Sequence, residues 1–249
     1  MPNPFSRTEL IFGSEAMKKL NNSRVAVFGI GGVGGYVVEA LARSGVGELD
    51  LVDDDVVNYS NLNRQIYALH STLGKAKVDV AEQRCKDINP DIVIHKHKVF
   101  YLPETKDQFD FSEFDYVVDC IDTVSGKIQL ILQAKDAGVP VISSMGAGNK
   151  TDPSLFKVAD IYETSIDPLA RVMRRELKKR NVSDLTVVYS TEEPVKPDYD
   201  NSFSEENELH PNRPDKEVSY QKLPPGSNAY VPSSAGLLIA SKIIKDLIK

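Results

Sequence analysis

Four glycines lie close together near the start of the chain, between a strand-like run and a stretch with helical spacing. They are Gly29, Gly31, Gly32 and Gly34. Glycine at such a turn lets the backbone approach a phosphate, and the N-terminus of the following helix favours the negative charge. Asp53 follows the next strand-like run, where a carboxylate can bind ribose hydroxyls. These features predict a nucleotide site, and the alternative interpretation is a tight turn that is merely rich in glycine.

A second group of polar residues follows Asp53 and separates ATP chemistry from NAD chemistry. The group comprises Asp55, Asn61, Asn63, Arg64, Gln65 and Lys77. A hydride-transfer site has no need of a second acid, an arginine and a lysine at this place, whereas a triphosphate and its Mg²⁺ do. Either cation alone would be typical of a solvated surface. The whole set, in this order, predicts ATP.

Two further acids stand at the end of a later strand-like run, at 116–121. Ligands of parallel sheets bind beyond the carboxyl ends of the strands, so Asp122 is expected to face the nucleotide and to bind Mg²⁺. Asp119 lies inside the apolar run. We interpret it as a buried structural carboxylate, because ionisable residues inside such runs are buried only when they are paired.

Strand-like and helix-like segments alternate along the first 150 residues. Runs typical of strands lie at 24–28, 48–52, 92–99, 116–121 and 141–144. Helical spacing occurs at 6–21, 33–43, 75–88 and 127–137. This alternation predicts a mostly parallel sheet covered by helices on both faces. The predicted fold class is therefore α/β, with a Rossmann-like twisted sheet.

The C-terminal part extends this core. It has strand signals at 158–162 and 185–190, a basic helix at 167–180, a Pro-, Gly- and acid-rich segment at 192–227, and a last helix from Pro232. We interpret 192–227 as a mobile crossover loop. The chain is expected to form a single domain over 1–249, with a nucleotide-binding core at 1–150 and a substrate-binding extension at 151–249.

Charge and cysteine content indicate which class of protein this is. The formal net charge is -6, and nine acids against four bases between 192 and 222 account for most of it. The chain has two cysteines and no Cys-x-x-Cys pair, which predicts a reduced, cytoplasmic protein without a structural zinc. The apolar stretch at 235–247 is interrupted by charges and is shorter than the ~20 residues that span a bilayer.

The motifs from 5 to about 150 resemble the adenylation core of ubiquitin-activating enzymes and of the molybdopterin and thiamine adenylyltransferases. The resemblance implies that Asp53 binds ribose, that Asp122 binds the metal, and that the phosphates are bound by Asn61, Asn63, Arg64 and Lys77. In that family an arginine on the N-terminal helix reaches the triphosphate of the opposite subunit. Arg7 stands in the matching place, so the resemblance implies a homodimer.

The C-terminal motifs resemble the tRNA threonylcarbamoyladenosine dehydratases over essentially the whole chain. They include 146–148, Asp152-Pro153, 167–170 and 189–192. The molybdopterin and thiamine enzymes have paired zinc cysteines that this chain lacks. A ubiquitin-activating enzyme also needs a nucleophilic cysteine, whereas Cys85 and Cys120 lie in patterns typical of packed, neutral thiols.

The predicted helix at 167–180 gives an independent indication of the substrate. Four basic residues fall at i, i+3, i+4 and i+7, and these are Arg171, Arg174, Arg175 and Lys178. Solvated helix faces normally mix charges of both signs, but Glu176 is the only acid after Asp167. This face therefore predicts binding to the phosphate backbone of tRNA.

The resulting hypothesis is an ATP-dependent enzyme that activates the carboxylate of threonylcarbamoyladenosine in tRNA as an acyl-adenylate, after which ring closure expels AMP. ATP and Mg²⁺ are the implied cofactors, and a sulfur-transfer protein is a further partner that the resemblance leaves open. The first alternative is adenylation of a ubiquitin-like sulfur carrier. The other is an NAD-binding oxidoreductase or an inactive nucleotide-binding scaffold.

Overall fold

The computed structural model describes residues 3–198 and 224–249, and its centre is a seven-stranded sheet. The strands are β1 (Arg24–Phe28), β2 (Glu48–Val52), β3 (Val93–His97), β4 (Tyr116–Asp119), β5 (Val141–Ser144), β6 (Phe156–Asp160) and β7 (Thr186–Ser190). Their order is β3-β2-β1-β4-β5-β7-β6, and all neighbours are parallel except the antiparallel pair β6 and β7. The predicted α/β class is confirmed.

Helices cover both faces of the sheet. They are α1 (Ser6–Phe12), α2 (Ser14–Asn21), α3 (Gly34–Arg43), α4 (Lys77–Ile88), α5 (Val124–Asp136), α6 (Pro168–Lys178) and α7 (Val231–Leu247). Side chains of a strand point alternately to opposite faces, so Val25 and Val27 pack with α3, α4 and α7, whereas Ala26 and Phe28 pack with α5 and α6. Of the helices that the structure describes, none is long and apolar enough to cross a membrane.

Several sequence expectations are corrected. The strands β3 and β4 each end two residues before the predicted end, at His97 and Asp119. The segment 6–21 forms two helices because Gly13 between them adopts a φ of +84°, which glycine tolerates and a continuous helix does not. The strand predicted at 158–162 occupies Phe156–Asp160, since this edge strand is only half-buried and has no clear apolar run. Most of the predicted crossover loop, residues 199–223, lies outside the described part of the chain.

The loops after β1 and β4 lie side by side at the carboxyl edge of the sheet. A side chain at Gly29 would place its Cβ 2.7 Å from the carbonyl oxygen of Cys120. The two strands are neighbours, and their partners β2 and β5 continue the sheet in opposite directions. This is the switch point at which sheets of this type bind ligands.

Helix α7, the last in chain order, packs directly on the beginning of α3. A Cβ at Gly236 would lie 2.4 Å from the carbonyl oxygen of Val33, so only glycine allows this approach. One turn earlier, the ring of Pro232 lies against Gly32 of the glycine loop, where an added Cβ would be 3.4 Å from Pro232 Cβ. The glycine loop therefore has α7 as one of its walls.

Candidate active site

The glycine loop is folded tightly on itself and anchored to the end of β2. Gly29 has a φ of +81°, and a Cβ at Gly34 would lie 1.9 Å from the carbonyl oxygen of Gly29. The backbone N–H of Ile30 donates to Asp53 Oδ2 at 2.9 Å, and Asp55 N–H donates to Asp53 Oδ1 at 3.0 Å. The carboxylate of Asp53 is thus fixed beside the loop, as a ribose ligand must be.

Lys77 is buried between two carboxylates at the start of α4. Its Nζ lies 2.8 Å from Asp55 Oδ2 and 3.6 Å from Asp53 Oδ1, and 5% of its side chain is exposed. Burial alone would lower the pKa of Lys77, but the attraction of Asp53 and Asp55 outweighs burial and raises it. Burial raises the pKa of Asp53 despite the nearby ammonium. The ammonium is therefore held in its charged form beside the glycine loop.

Carboxylates with the chemistry that Mg²⁺ prefers lie at the same edge. Oxygens of Asp53, Asp54 and Asp55 come within 4.8 Å of one another. Asp122 is exposed beyond the end of β4, next to the glycine loop. Hard oxygen ligands of this kind fit Mg²⁺, which keeps several waters and takes one or two carboxylates together with phosphate oxygens. Asp55 also contacts Lys77 at 2.8 Å, whereas Asp122 is more exposed than the three acids at 53–55.

The segment 61–65 provides both structural and accessible polar groups. Asn61 Oδ1 accepts the N–H of Asn58 at 3.0 Å and so caps a short turn, while Asn63 Nδ2 donates to the carbonyl oxygen of Ser227 at 3.1 Å. Arg64 Nη1 donates to the carbonyl oxygen of Ser60 at 2.8 Å. The amide oxygen Oε1 of Gln65 is buried without a hydrogen-bond partner among residues 3–198 and 224–249, and a Cβ at Gly31 would lie 3.6 Å from Gln65 Nε2.

Arg7 lies on α1, the first helix of the chain. None of the residues of α1 is fully buried, and Arg7 is exposed. Leu10 and Ile11 follow at i+3 and i+4 and are 87% and 76% exposed, so they share a helical face with Arg7. The chain itself leaves this face uncovered within the part that the structure describes.

Of the four basic residues predicted on one face of α6, three are exposed and one is turned toward the protein. Asp167 caps the helix by accepting the N–H of Ala170 at 2.9 Å. Arg174 Nη1 donates to the carbonyl oxygen of Thr164 at 2.8 Å, which turns it toward the protein. The remaining three residues of the predicted set are Arg171, Arg175 and Lys178, and all three are exposed. Arg175 is also 3.2 Å from Glu176.

The pattern of these residues is that of a known family, whose model matches residues 5–249. The chain belongs to the ThiF family. This ThiF-family chain is 44% identical over 250 residues to a tRNA threonylcarbamoyladenosine dehydratase of Bacillus subtilis, an alignment that covers 100% of this chain and 96% of the relative. The predicted family resemblance is confirmed.

Solved structures give the same picture. The tRNA N6-threonylcarbamoyladenosine dehydratase TcdA of E. coli in complex with AMP is 31% identical, with a TM-score of 0.84 over 98% of this chain and 93% of that one. The complex of the same enzyme with ATP has a TM-score of 0.83 and 30% identity, over 98% and 93% of the two chains. An adenylyltransferase and sulfurtransferase, UBA4 of Vanderwaltozyma polyspora, is 36% identical over 144 residues, which cover 58% of this chain and 33% of the relative.

The two cysteines of this ThiF-family chain lie in apolar surroundings. Burial raises the pKa of Cys85 to about 12, and burial likewise raises the pKa of Cys120 to about 12. A thiol with such a pKa carries almost no thiolate near neutral pH, and the thiolate is the nucleophile. Neither cysteine is therefore prepared for thioester chemistry.

Two buried lysines were missed by sequence reasoning. Lys127 Nζ lies 3.0 Å from Asp119 Oδ2 and also donates to the carbonyl oxygen of Ser144 at 2.8 Å, which agrees with a structural role for Asp119. Lys150 is 3% exposed and lies near Asp167. In a sequence, a lysine is normally interpreted as a surface residue. The available signal was Asp119, because an acid inside an apolar run needs a cation as its partner.

Proposed function

We propose that the protein is an ATP-dependent enzyme that dehydrates threonylcarbamoyladenosine in tRNA. The observation that carries the nucleotide chemistry is the charged Lys77, held between Asp53 and Asp55 beside the glycine loop. The substrate class is supported by the similarity to dehydratases over the full chain and by the exposed basic residues of α6. Because its proposed substrate is tRNA, we expect the protein to act in the cytoplasm.

In the proposed reaction, the carboxylate of the threonylcarbamoyl group attacks the α-phosphorus of ATP and pyrophosphate leaves. An intramolecular nucleophile then attacks the activated carbonyl, closes a ring and expels AMP. Asp53 would orient the ribose, and the N–H groups of the glycine loop would face the phosphates. Lys77 would supply positive charge once phosphate oxygens compete with Asp55 for its ammonium.

Asp122, together with a carboxylate of Asp54 or Asp55, would hold Mg²⁺. The chemistry that the ion supplies at such a site is to offset the charge that develops on the departing pyrophosphate. Because Asp122 is exposed beyond β4, its carboxylate can reach a phosphate-bound ion without disturbing the buried cluster around Lys77.

The direct test is to measure AMP and pyrophosphate formation with ATP and three acceptors. These are tRNA that carries threonylcarbamoyladenosine, a ubiquitin-like sulfur carrier, and buffer alone. We expect AMP only with the modified tRNA. Pyrophosphate release with the carrier protein alone, with AMP left bonded to the carrier as its acyl-adenylate, would instead support the second candidate function, which the shorter match to UBA4 favours. Adding a sulfur-transfer protein to the tRNA reaction tests that predicted partner in the same assay.

Neutralising the exposed basic face of α6 is expected to weaken tRNA binding. We choose Arg171, Arg175 and Lys178 for replacement by Gln and keep Arg174, since its contact with Thr164 stabilises the helix. Each lost phosphate contact should flatten the slope of log affinity against log salt by about one unit, so up to about three units are expected. Salt-dependent tRNA binding measures this.

The matched control replaces three lysines near α4 and β3 with Gln, namely Lys86, Lys96 and Lys98. They carry the same charge but lie at the opposite edge of the sheet. Their replacement should leave the tRNA salt slope as it is. An unchanged slope in the α6 variant would show that the face is only solvated.

A homodimer in which Arg7 acts on the partner's site should show complementation. Arg7→Ala and Lys77→Ala, each inactive alone, are expected to regain part of their activity when mixed, because a hybrid dimer contains one intact site. The interface of such a dimer could include the exposed face of α1, which Arg7 shares with the apolar Leu10 and Ile11. The measurement is AMP formation after demonstrated subunit exchange.

Two differently tagged preparations of Lys77→Ala, mixed in the same way, are the control and should stay inactive. If the mixture of Arg7→Ala and Lys77→Ala also stays inactive although subunits exchange, Arg7 does not act across the dimer.

A further inference from the structure

A charged pair is buried between the loop after β5, residues 145–150, and the first turn of α6. Lys150 Nζ lies 3.8 Å from Asp167 Oδ2, and the two side chains are 1% and 0% exposed. Lys150 also donates to the carbonyl oxygen of Glu192 at 3.1 Å. The pair joins two segments that are close in space but separate in the chain, and one of them starts the basic helix.

The two oxygens of Asp167 have different surroundings. Oδ1 caps α6 through the N–H of Ala170 at 2.9 Å. Oδ2 has no hydrogen-bond partner among the residues described, and it faces the 145–150 loop, where a Cβ at Gly146 would lie 3.3 Å away. A buried carboxylate oxygen without a full partner is costly. Among residues 3–198 and 224–249, Lys150 is the cation that pairs with it, so the loop and the helix cap depend on each other.

Each member of the pair follows a residue with an unusual backbone. Asn149, before Lys150, has a φ of +57°, and Ile166, before Asp167, has a φ of +64°. Ile166 is β-branched and is the centre of a tight turn in which Asp167 N–H donates to the carbonyl oxygen of Ser165 at 2.6 Å. Asparagine adopts this left-handed conformation readily, but a β-branched isoleucine is strained in it, and the strain persists only where the surroundings enforce it. Asp167 is thus placed beside Lys150 against the local backbone preference of Ile166.

The same loop is connected to the nucleotide side of the sheet. Asn149 N–H donates to the carbonyl oxygen of Gly226 at 2.8 Å, and Asn228 Nδ2 donates to that of Lys150 at 2.9 Å. Between them, the carbonyl oxygen of Ser227 accepts Asn63 Nδ2 at 3.1 Å. A continuous set of contacts therefore runs from the cap of α6, through the 145–150 loop, to the segment next to Arg64.

We propose that Lys150 and Asp167 are positioning residues that fix the 145–150 loop relative to α6, so that a tRNA bound on α6 presents its acyl group to the nucleotide. This inference rests on the proposed function, which places tRNA on α6 and ATP at the glycine loop. Neither residue needs to touch the substrate. We expect the pair to affect kcat, the turnover rate of the enzyme with ATP and tRNA bound, and not the affinity for either.

Three variants separate positioning from stability. Asp167→Asn keeps a side-chain oxygen for the cap, Lys150→Met keeps an unbranched side chain that is one atom shorter, and the double variant carries both changes. Each single variant leaves one buried charge unpaired and should lower Tm by roughly 6 °C or more. The double variant has no unpaired charge and should regain most of that loss.

The deciding measurement is kcat and KM of the double variant with modified tRNA. We expect kcat to remain about 10-fold or more below that of the wild type, because a small misplacement of reacting groups costs that much, while KM for ATP and the Kd of tRNA stay unchanged. The matched control is Lys135→Met with Asp184→Asn, an exposed ion pair between α5 and the segment before β7, which should leave kcat unchanged.

If the double variant regains kcat together with Tm, the pair is only structural and the proposal is wrong. If the wild type binds ATP but does not turn over modified tRNA, the proposed function fails instead. Hydrogen exchange of the 145–150 amides then tests the pair without tRNA. Exchange in the double variant should be faster than in the wild type, and equal rates would overturn the proposal.

Discussion

Lys77→Met is expected to lower the rate of AMP formation by about 100-fold or more, since losing one electrostatic contact to a developing phosphate charge typically costs that much. The ammonium is buried beside Asp53 and Asp55, next to the glycine loop, and is held in its charged form. Methionine fills a similar volume without the charge. The measurement is AMP formation with modified tRNA at saturating ATP.

A neighbouring lysine provides the control. Lys75 is exposed and lies two residues before Lys77, so Lys75→Met removes an equal charge without touching the cluster. We expect it to behave like the wild type. Thermal melting of both variants separates a lost contact from a lost fold, because Lys77→Met leaves Asp53 and Asp55 without their cation. A folded Lys77→Met protein with normal turnover would contradict the assignment of the site.

Asp122→Asn is expected to reduce the same reaction by about 100-fold, and more Mg²⁺ should recover part of the rate. The substitution keeps the size of the side chain but removes the charge that favours a divalent ion. Because asparagine keeps the shape of the side chain at this exposed position, Tm should change little. The measurement is the dependence of the rate on Mg²⁺ concentration.

Asp136→Asn is the matched control, since Asp136 is an exposed acid at the other end of α5. It should leave the Mg²⁺ dependence as in the wild type. Equal Mg²⁺ dependence in Asp122→Asn and the wild type would remove Asp122 from the metal site and shift attention to Asp54.

The parts of the fold that the sequence predicts best are those with buried strands. β1, β2 and β5 have the predicted bounds, because buried strands are short apolar runs, whereas β4 begins as predicted but ends at Asp119, before the apolar run does. The edge strand β6 is displaced by two residues, since three of its five side chains are partly buried and two are exposed. An edge strand is determined by its pairing partner, β7, which lies far along the chain.

The site was predicted less completely, for a related reason. Helical spacing places Arg174 on the basic face, but its contact with Thr164 depends on a turn that spacing does not describe. Asn61 and Asn63 fit a motif, yet their side chains contact Asn58 and Ser227 in the structure. The buried lysines at 127 and 150 pair with acids whose proximity results only from the folded sheet.

The packing of α7 against the glycine loop has a consequence for synthesis of the chain. Gly236 and Pro232 form part of the wall of a loop that begins two hundred residues earlier. A nascent chain that has emerged only through β5 contains every predicted nucleotide ligand but lacks this wall. Because a domain generally folds as a unit, we expect the nascent chain to bind ATP only after α7 has left the ribosome. ATP binding by a nascent chain would then indicate that α7 has been synthesised and has packed on the glycine loop.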